Sequence, residues 1–465
     1  MDAYLLLDFG STYTKLTAVD IENEEILATA KDITTIEDDI MVGFNKAYEK
    51  IQEQLKGKEV NFVRKLACSS AAGGLKMVAV GLVPDLTAEA AKRAALGAGA
   101  RILKVYSFEL TSHETEEIKN SNLDMILLAG GTDGGNKQCI IHNAQMIAEH
   151  KINVPVVVAG NKVANDEIIE IFDKAGIEYS ITDNVMPTLN ELNVEPAREE
   201  IRKIFMGNIV KAKGLGNAED FVSGILMPTP AAVLKAAEAL SLGTDEEEGI
   251  GDLIVVDIGG ATTDIHSLAD GEPSKAGVTV RGLEEPFAKR TVEGDLGMRY
   301  SAISLLEAAG TRKLRTYLSD TKERKIDVAG NCKYRNEHIK MVPQSEEEIF
   351  FDEAMAKVAT ELAMERHVGT IESVYTPMGP VYTQFGKDLM EVKYMIGTGG
   401  VLVHSKNPAD ILNAGTFKME DATHLKPKKP GFLLDKTYIL SAMGLLAQEL
   451  PDLAVRLMKK YLVQI

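Results

Sequence analysis

The chain opens with short apolar segments separated by polar turns, a pattern typical of β-strands joined by hairpins. Residues 4–7 are apolar and end at Asp8, and strand-like segments follow at 15–20 and 25–30. This arrangement predicts an antiparallel meander. Apolar positions then recur at helical spacing over 40–55, which predicts a helix.

Strand-type and helix-type segments alternate from residue 105 to residue 182, which predicts parallel βαβ units. A mostly helical stretch follows and ends in the acidic run 245–248, a natural domain boundary. Further on, a capping-box sequence at 345–348 predicts a long helix to about 366. A cluster of proline and glycine over 377–386 predicts a loop, and residues 441–462 are expected to form terminal helices.

One pattern occurs twice in the chain. Residues 4–20 and 253–270 each contain an apolar strand, an aspartate, one apolar residue, a glycine, several small or hydroxylic residues and a second strand. Asp8 corresponds to Asp257, and Gly10 corresponds to Gly259. Two such hairpins so far apart predict two similarly folded domains.

Hairpins of this composition are suited to phosphate binding. Glycines allow close backbone approach, and successive backbone N–H groups form a cavity for an anion. An aspartate at the strand end can supply oxygen to Mg²⁺, a role we assign to Asp8 and Asp257. The candidate phosphate-binding residues are Gly10, Ser11 and Thr12 in the first turn and Gly259, Gly260, Thr262 and Thr263 in the second.

A third glycine cluster follows a strand near the C-terminus. Gly397, Gly399 and Gly400 would permit close contact with a flat ligand such as adenine, and the alternative is an ordinary tight turn. The cluster does not complete a G-x-G-x-x-G motif, and the chain has no P-loop motif. We therefore predict one site for ATP and Mg²⁺ shared by the paired hairpins and this cluster.

Several other residues have two possible roles. Lys15 could contact a β- or γ-phosphate or lie on the surface of a strand. Asp264 could orient an attacking water, as a catalytic residue together with Asp8 and Asp257, or cap a turn. The loop 130–135 could bind an anion at a helix N-terminus, but an ordinary βα connection is favoured.

Composition and charge exclude several classes of protein. The 465 residues include 51 basic and 69 acidic side chains, giving a net charge of −18. Nucleic acids and anionic membranes attract basic patches, so neither is an expected partner. The three cysteines lack the spacing of a zinc or iron–sulfur site. No apolar segment could span a bilayer and no basic leader is present, so we expect a cytoplasmic protein.

The motifs together resemble those of the actin, Hsp70 and sugar-kinase ATPase superfamily. Residues 8–12 resemble its first phosphate motif, residues 257–264 its second and residues 396–400 its adenosine motif. Residues 293–297 fall where the superfamily has an interdomain connector helix. The resemblance implies an α/β fold of two actin-like, ribonuclease H-like ATPase domains around a nucleotide cleft, with an inserted α/β module.

Three further segments, 69–77, 128–136 and 438–446, resemble the glutamate mutase accessory protein family, which is called MutL or GlmL. The resemblance implies a slow Mg-dependent ATPase in a chaperone-like cycle. Its partner would be an adenosylcobalamin-dependent mutase whose damaged cobalamin is exchanged, and a homodimer is compatible with it. The predicted domains are a first ATPase subdomain, an inserted module, a second ATPase domain with the adenosine motif, and a linker with C-terminal helices: 1–104, 105–248, 249–425 and 426–465.

Other functions of the same fold stay open from the sequence. A small-molecule kinase would need a substrate pocket and a general-base aspartate, for which Asp264 is the nearest candidate. An ATP-driven activator of a dehydratase would need paired cysteines for an iron–sulfur cluster, which Cys68, Cys139 and Cys332 do not suggest. An actin-like filament or scaffold protein would polymerise with nucleotide.

Overall fold

A computed structural model describes residues 1–10, 12–34, 40–70, 75–211, 225–318, 326–377 and 379–465. Over these ranges the chain forms two compact units. Unit 1 comprises Met1–Val233, Gly282–Glu284 and Gly444–Glu449, and unit 2 comprises Leu234–Arg281, Glu285–Met443 and Leu450–Ile465. In the described ranges, no helix has the length and apolar character needed to cross a membrane.

Strands and helices alternate through both units. The strands are β1 (Asp2–Phe9), β2 (Tyr13–Asp20), β3 (Glu25–Ile33), β4 (Asn61–Ser69), β5 (Lys76–Gly81), β6 (Arg101–Ser107), β7 (Met125–Leu128), β8 (Val156–Val158), β9 (Tyr179–Ile181), β10 (Ile225–Pro228), β11 (Leu253–Ile258), β12 (Thr263–Leu268), β13 (Val278–Arg281), β14 (Ala288–Glu293), β15 (Thr370–Thr376), β16 (Gly379–Phe385), β17 (Tyr394–Thr398), β18 (Gly431–Leu434) and β19 (Val463–Gln464).

The α-helices are α1 (Ile40–Gln54), α2 (Glu89–Gly97), α3 (Ser112–Asn120), α4 (Gln138–Glu149), α5 (Asn165–Ala175), α6 (Glu195–Lys211), α7 (Thr229–Leu242), α8 (Ala302–Tyr317), α9 (Val328–Glu337), α10 (Glu346–His367), α11 (Gly400–His404), α12 (Pro408–Asn413), α13 (Leu440–Leu446) and α14 (Pro451–Tyr461). Short helical turns cover Pro84–Ala88, Lys162–Ala164 and Met419–Asp421.

The first sheet of unit 1 has the strand order β10-β4-β1-β2-β3. β1, β2 and β3 pair antiparallel, which confirms the predicted meander, whereas β4 and β10 run parallel to β1. Alternate residues of β1, including Leu5, Leu7 and Phe9, are buried with residues of α1. The rings of Phe9 and Phe44 lie 6.2 Å apart.

The main sheet of unit 2 repeats this topology. Its strand order is β18-β17-β11-β12-β14, with β19 paired antiparallel beyond β18. β18, β17 and β11 run parallel to one another, β12 is antiparallel to β11, and β14 is antiparallel to β12. Ile254, Val256 and Ile258 of β11 pack in the same core as Met355 and Ala359 of α10. The predicted α/β architecture with two similarly built main sheets is confirmed.

The inserted module is a doubly wound α/β layer within unit 1. Its five strands are all parallel, in the order β6-β5-β7-β8-β9, which confirms the predicted βαβ units. Residues of α2 and α6 are buried in the core on one face, and residues of α4 and α5 in the core on the other. The first strand of this sheet begins at Lys76, and the domain boundaries drawn from the sequence stay predictions.

Three segments differ from their predicted structure. The predicted loop over 377–386 contains β16, the central strand of a small sheet with the order β13-β16-β15. Its Pro380 lies near the start of the strand, where proline is tolerated. Residues 293–297 form the end of β14 and a turn, and no helix begins before Ala302. In the predicted linker, Lys426 is fully buried and bonded to Asp421.

Candidate functional site

The first phosphate motif lies at the end of β1, where the chain makes a tight turn into β2. The Gly10 N–H donates to the carbonyl oxygen of Tyr13 at 3.1 Å. A Cβ atom at Gly10 would lie 2.6 Å from that oxygen, so the turn requires glycine. Thr34, which directly follows β3, holds the turn through two hydrogen bonds. Its hydroxyl donates to the Gly10 carbonyl oxygen at 2.8 Å, and its N–H donates to the Thr12 carbonyl oxygen at 2.9 Å. Ser11 lies outside the described residues.

Asp8 is buried at the strand end and has three polar neighbours. The Thr229 hydroxyl donates to Oδ1 at 2.6 Å, and Lys15 Nζ lies 3.5 Å from Oδ2. The Cys68 thiol lies 3.7 Å from Oδ1, and burial with the nearby carboxylate raises its pKa well above the usual value. Lys15 is the cross-strand neighbour of Asp8 and is partly exposed, so both of its proposed roles stay open.

The second phosphate motif has the same local geometry in unit 2. The Gly259 N–H donates to the carbonyl oxygen of Thr262 at 2.9 Å, as Gly10 does to Tyr13. Asp257 lies opposite Asp264 in the strand register, as Asp8 lies opposite Lys15. The internal repeat detected in the sequence is therefore a structural repeat.

Residues 294–301 hold the second turn in place through hydrogen bonds. The N–H of Arg299 donates to the Gly260 carbonyl at 2.8 Å, and the Ser301 hydroxyl donates to the Ala261 carbonyl at 2.7 Å. Thr263 is buried and donates its hydroxyl to the Leu296 carbonyl at 2.7 Å. The hydroxyl of Thr263 is thus used to anchor the turn, and its predicted contact with phosphate stays a prediction.

Asp264 is buried and hydrogen-bonded through both carboxylate oxygens. Arg290 contacts Oδ1 through Nε at 2.8 Å and Nη2 at 2.5 Å, and the Thr262 hydroxyl donates to Oδ2 at 3.0 Å. The neighbouring His266 is an interior residue, and burial with Arg290 lowers its pKa to about 3. It is therefore neutral. His404 is exposed at the end of a short helix.

The adenosine motif lies on the strand next to the second phosphate motif. Thr398 at the end of β17 is in register with Asp257, so these two motifs are adjacent within unit 2. Gly399 has a φ of +101°, and a Cβ there would lie 2.3 Å from the Ile258 carbonyl oxygen. A Cβ at Gly397 would lie against the core side chains Leu402 and Leu412. Gly400 is the first residue of α11, and only the Tyr438 hydroxyl lies near its Cβ position, at 3.9 Å.

Two residues that contact these motifs were not predicted, one in each unit. Thr229 and Asp435 directly follow β10 and β18, the corresponding strands of the repeated sheets. Thr229 donates to Asp8, and Asp435 accepts from the Thr398 hydroxyl at 3.2 Å and from the Ile439 N–H at 2.9 Å. Extending the sequence repeat by two strands is the signal that would have found them.

The donor chemistry at the two turns fits Mg²⁺. Over the described ranges, no group of three or more His, Cys, Asp and Glu side chains could hold a metal ion. Mg²⁺ usually keeps several waters and binds one or two carboxylates together with substrate phosphates, so it does not need a complete protein cage. Asp8 and Asp257 are the carboxylates suited to this, and their joint use of one ion stays a prediction.

The loop 130–135 differs from an anion site. The Gly134 N–H donates to Asn161 Oδ1 at 3.0 Å, and the N–H of Asp133 donates to the Pro187 carbonyl at 2.9 Å. Asn184 donates to the Asp133 carboxylate at 3.0 Å. Because these amides are satisfied within the protein and a carboxylate lies among them, the geometry favours an ordinary βα connection.

The family model described as MutL protein matches residues 4–462. The chain belongs to the MutL family. Protein MutL of Clostridium tetanomorphum is 78% identical to this MutL-family chain over 465 residues, which is 100% of both sequences. The resemblance to the glutamate mutase accessory family, drawn from the motifs, is thereby confirmed.

Two solved structures similar to this MutL-family chain are more distant. Xylulose kinase from Lactobacillus acidophilus is 11% identical, with 100% of this chain and 93% of that chain covered and a TM-score of 0.34. A glycerol dehydratase reactivase is 8% identical, with 96% and 99% covered and a TM-score of 0.34. Both TM-scores are low, so the assignment rests on the MutL match.

Proposed function

We propose that this MutL-family chain is an ATP-hydrolysing, chaperone-like accessory protein of an adenosylcobalamin-dependent amino-acid mutase. The mutase would be of the glutamate mutase or aminomutase type, and the chain would promote exchange of its damaged cobalamin for intact cofactor. Membership of the MutL family supports a mutase as the partner. The resemblance and the turns described above support ATP hydrolysis, and the resemblance alone supports cobalamin exchange.

The repeated hairpin is the observation that carries the proposal. Each copy presents a strand-end aspartate followed by a glycine turn that is closed by the same backbone hydrogen bond. Such turns are suited to the phosphates of one nucleotide, with the adenosine motif beside the second copy. The affinity of the chain for the mutase would differ between the ATP-bound and ADP-bound states, as in bistable nucleotide switches.

Hydrolysis would depend on positioning and electrostatics. Bound Mg²⁺ would neutralise charge on the phosphates. The turns at Gly10 and Gly259 would bind the phosphates through backbone N–H groups, and Asp8 and Asp257 would orient the metal's waters. Because Asp264 already accepts hydrogen bonds at both oxygens, it is better suited to orienting a water than to removing its proton.

The first experiment measures ATP hydrolysis by the purified full-length chain. Asp8→Asn and Asp257→Asn should each lower turnover, on the order of 100-fold, because each removes a charge aimed at the metal-bound phosphates. Matched controls are Asp2→Asn and Asp252→Asn, which neutralise exposed aspartates near the opposite ends of the same strands. Equal activity of all four variants would contradict the assigned roles.

The second experiment adds a glutamate mutase loaded with an inactive cobalamin. We expect the mutase to stimulate ATP hydrolysis, and we expect release of free cobalamin that requires ATP. Failure of the chain to bind ATP, or no effect of the chain on the mutase, would contradict the proposal. ADP formation that depends instead on a sugar or a small acid would indicate a kinase.

A further inference from the structure

The small sheet of β13, β16 and β15 exposes an unusual amount of apolar surface. We call it the outer sheet. Six of its large apolar side chains are exposed, and Tyr375 is 84% exposed. The six are Val280, Val374, Tyr375, Val381, Tyr382 and Phe385. Large exposed apolar patches on soluble proteins commonly mark sites of interaction.

The strand register assigns these side chains to two faces. Tyr382 is in register with Ser373 and Val278, and Gln384 is in register with Ile371 and Val280. One face, here named the uncharged face, consists of Val278, Val280, Ile371, Ser373, Tyr375, Pro380, Tyr382 and Gln384. The opposite face contains Val374, Val381 and Phe385 but also Glu372 and Arg281.

The outer sheet is attached to the rest of unit 2 through Gln384 and Ile371. The buried Gln384 amide donates to the carbonyls of Gly271 and Gly386 at 2.9 and 2.8 Å, while its side-chain oxygen is buried without a hydrogen-bond partner. The Ile371 N–H donates to the Thr423 carbonyl at 2.9 Å. These bonds hold the sheet on unit 2 while most of its side chains remain exposed.

We infer that the uncharged face docks a surface of the mutase, an inference that rests on the proposed function. A membrane is disfavoured, because the chain carries a net charge of −18 and the face has no basic residue. A protein partner fits better, because tyrosine is enriched in binding hot spots and this face exposes Tyr375 and Tyr382.

The size of the face favours a transient partner over a second copy of the chain. Three strands of this length present a face on the order of 300 Å², from the usual strand spacing and rise. A stable dimer buries roughly 800 Å² on each partner. A small uncharged contact suits a partner that is bound and released in each nucleotide cycle.

The test compares two double variants of the full-length chain for binding to purified glutamate mutase. Val280→Thr with Tyr375→Thr changes the uncharged face, and Val374→Thr with Val381→Thr changes the opposite face. Both place the β-branched residue threonine in the strands and alter only exposed positions. We expect the first to weaken mutase binding at least about ten-fold and the second less than about two-fold, with ATP hydrolysis unchanged in both.

The outcomes separate this inference from the proposed function. If the wild-type chain binds the mutase and the first double variant binds equally well, the uncharged face is not the docking site and the proposed function stands. If the wild-type chain hydrolyses ATP but does not bind the mutase, both fail. Self-association or vesicle binding that is lost in the first variant would overturn the choice of occupant.

Discussion

At the scale of single residues, the strand-end aspartates have different surroundings. Asp8 is bonded to Thr229, which lies 221 residues away in sequence, and faces Lys15 across the hairpin. Asp257 faces Asp264, whose carboxylate is bonded to Arg290. The first copy of the repeat is therefore arranged around a cation and a hydroxyl, and the second around a second carboxylate.

Thr229→Val is expected to lower ATP turnover without unfolding the chain. The change removes the donor to Asp8 and keeps the side-chain volume, and a hydrogen bond to a charged group contributes roughly 1.5–3 kcal/mol, so turnover should fall about ten-fold or more. Steady-state kinetics should show the loss mainly in kcat, because Thr229 positions Asp8. Thr229→Ser should restore most of the activity, and a Ser variant as impaired as Val would contradict this role.

Lys387 is a fully buried cation in unit 2. Its ammonium donates to the carbonyls of Pro286 and Phe287 at 2.8 and 2.7 Å. Burial, reinforced by Lys289, lowers the pKa of Lys387 to about 7, against the partial opposition of three acidic side chains. These are Glu285, Asp270 and Asp252.

Stability should therefore rise with pH through the titration of Lys387. Between pH 7 and 10.5 the unfolded chain keeps the Lys387 proton while the folded chain has lost it, so the free energy of unfolding increases with pH in this window. Urea denaturation at pH 6.5, 7.5 and 9 measures the slope. Lys387→Met should flatten the dependence of the free energy of unfolding on pH. An unchanged slope would contradict the assignment.

At the scale of elements, the turns after β1 and β17 depend on glycine. Gly399 combines a left-handed φ of +101° with a backbone oxygen 2.3 Å from the position of a Cβ. Gly277 is a useful comparison, because its φ is +80° but nothing lies within 4 Å of its Cβ position. The pair separates backbone strain from steric contact.

Gly399→Ala should therefore destabilise unit 2 more than Gly277→Ala. The comparison variant should lose roughly 1–2 kcal/mol, from the left-handed backbone alone. Gly399→Ala should lose at least about twice as much, because Ile258 must also move. Denaturant unfolding measures both, and equal losses would show that the turn after β17 adjusts freely.

The sequence predicted the elements whose signals are local. The meander and both phosphate turns follow from apolar strands that end at an aspartate and a glycine. Thr229 and Asp435 were missed because their partners lie on strands distant in sequence. The outer sheet was missed because its central strand begins with glycine and proline, which favour loops unless tertiary contacts override them.

At the scale of the whole molecule, two of the crossings between the units fall within α7 and α13. In unit 1 these helices pack closely, and a Cβ at Gly444 of α13 would overlap the Ala232 carbonyl oxygen of α7. Small residues at this crossing are therefore a structural requirement. Each unit also contains one of the two glycine turns.

MgATP should stabilise both units together. If one nucleotide uses both turns, calorimetry should show both unfolding transitions shift upward, with a gain of about 2.7 kcal/mol at a hundred-fold excess over Kd. Asp8→Asn or Asp257→Asn should remove the shift from both units, and EDTA should do the same. A shift confined to one transition would indicate that the nucleotide is held by one unit alone.

The matching strand order of the two main sheets makes positions in their hairpins directly comparable. Lys15 and Asp264 occupy equivalent places opposite the strand-end aspartates and carry opposite charges. The two hairpins therefore share a backbone path while presenting opposite charge beside an equivalent aspartate.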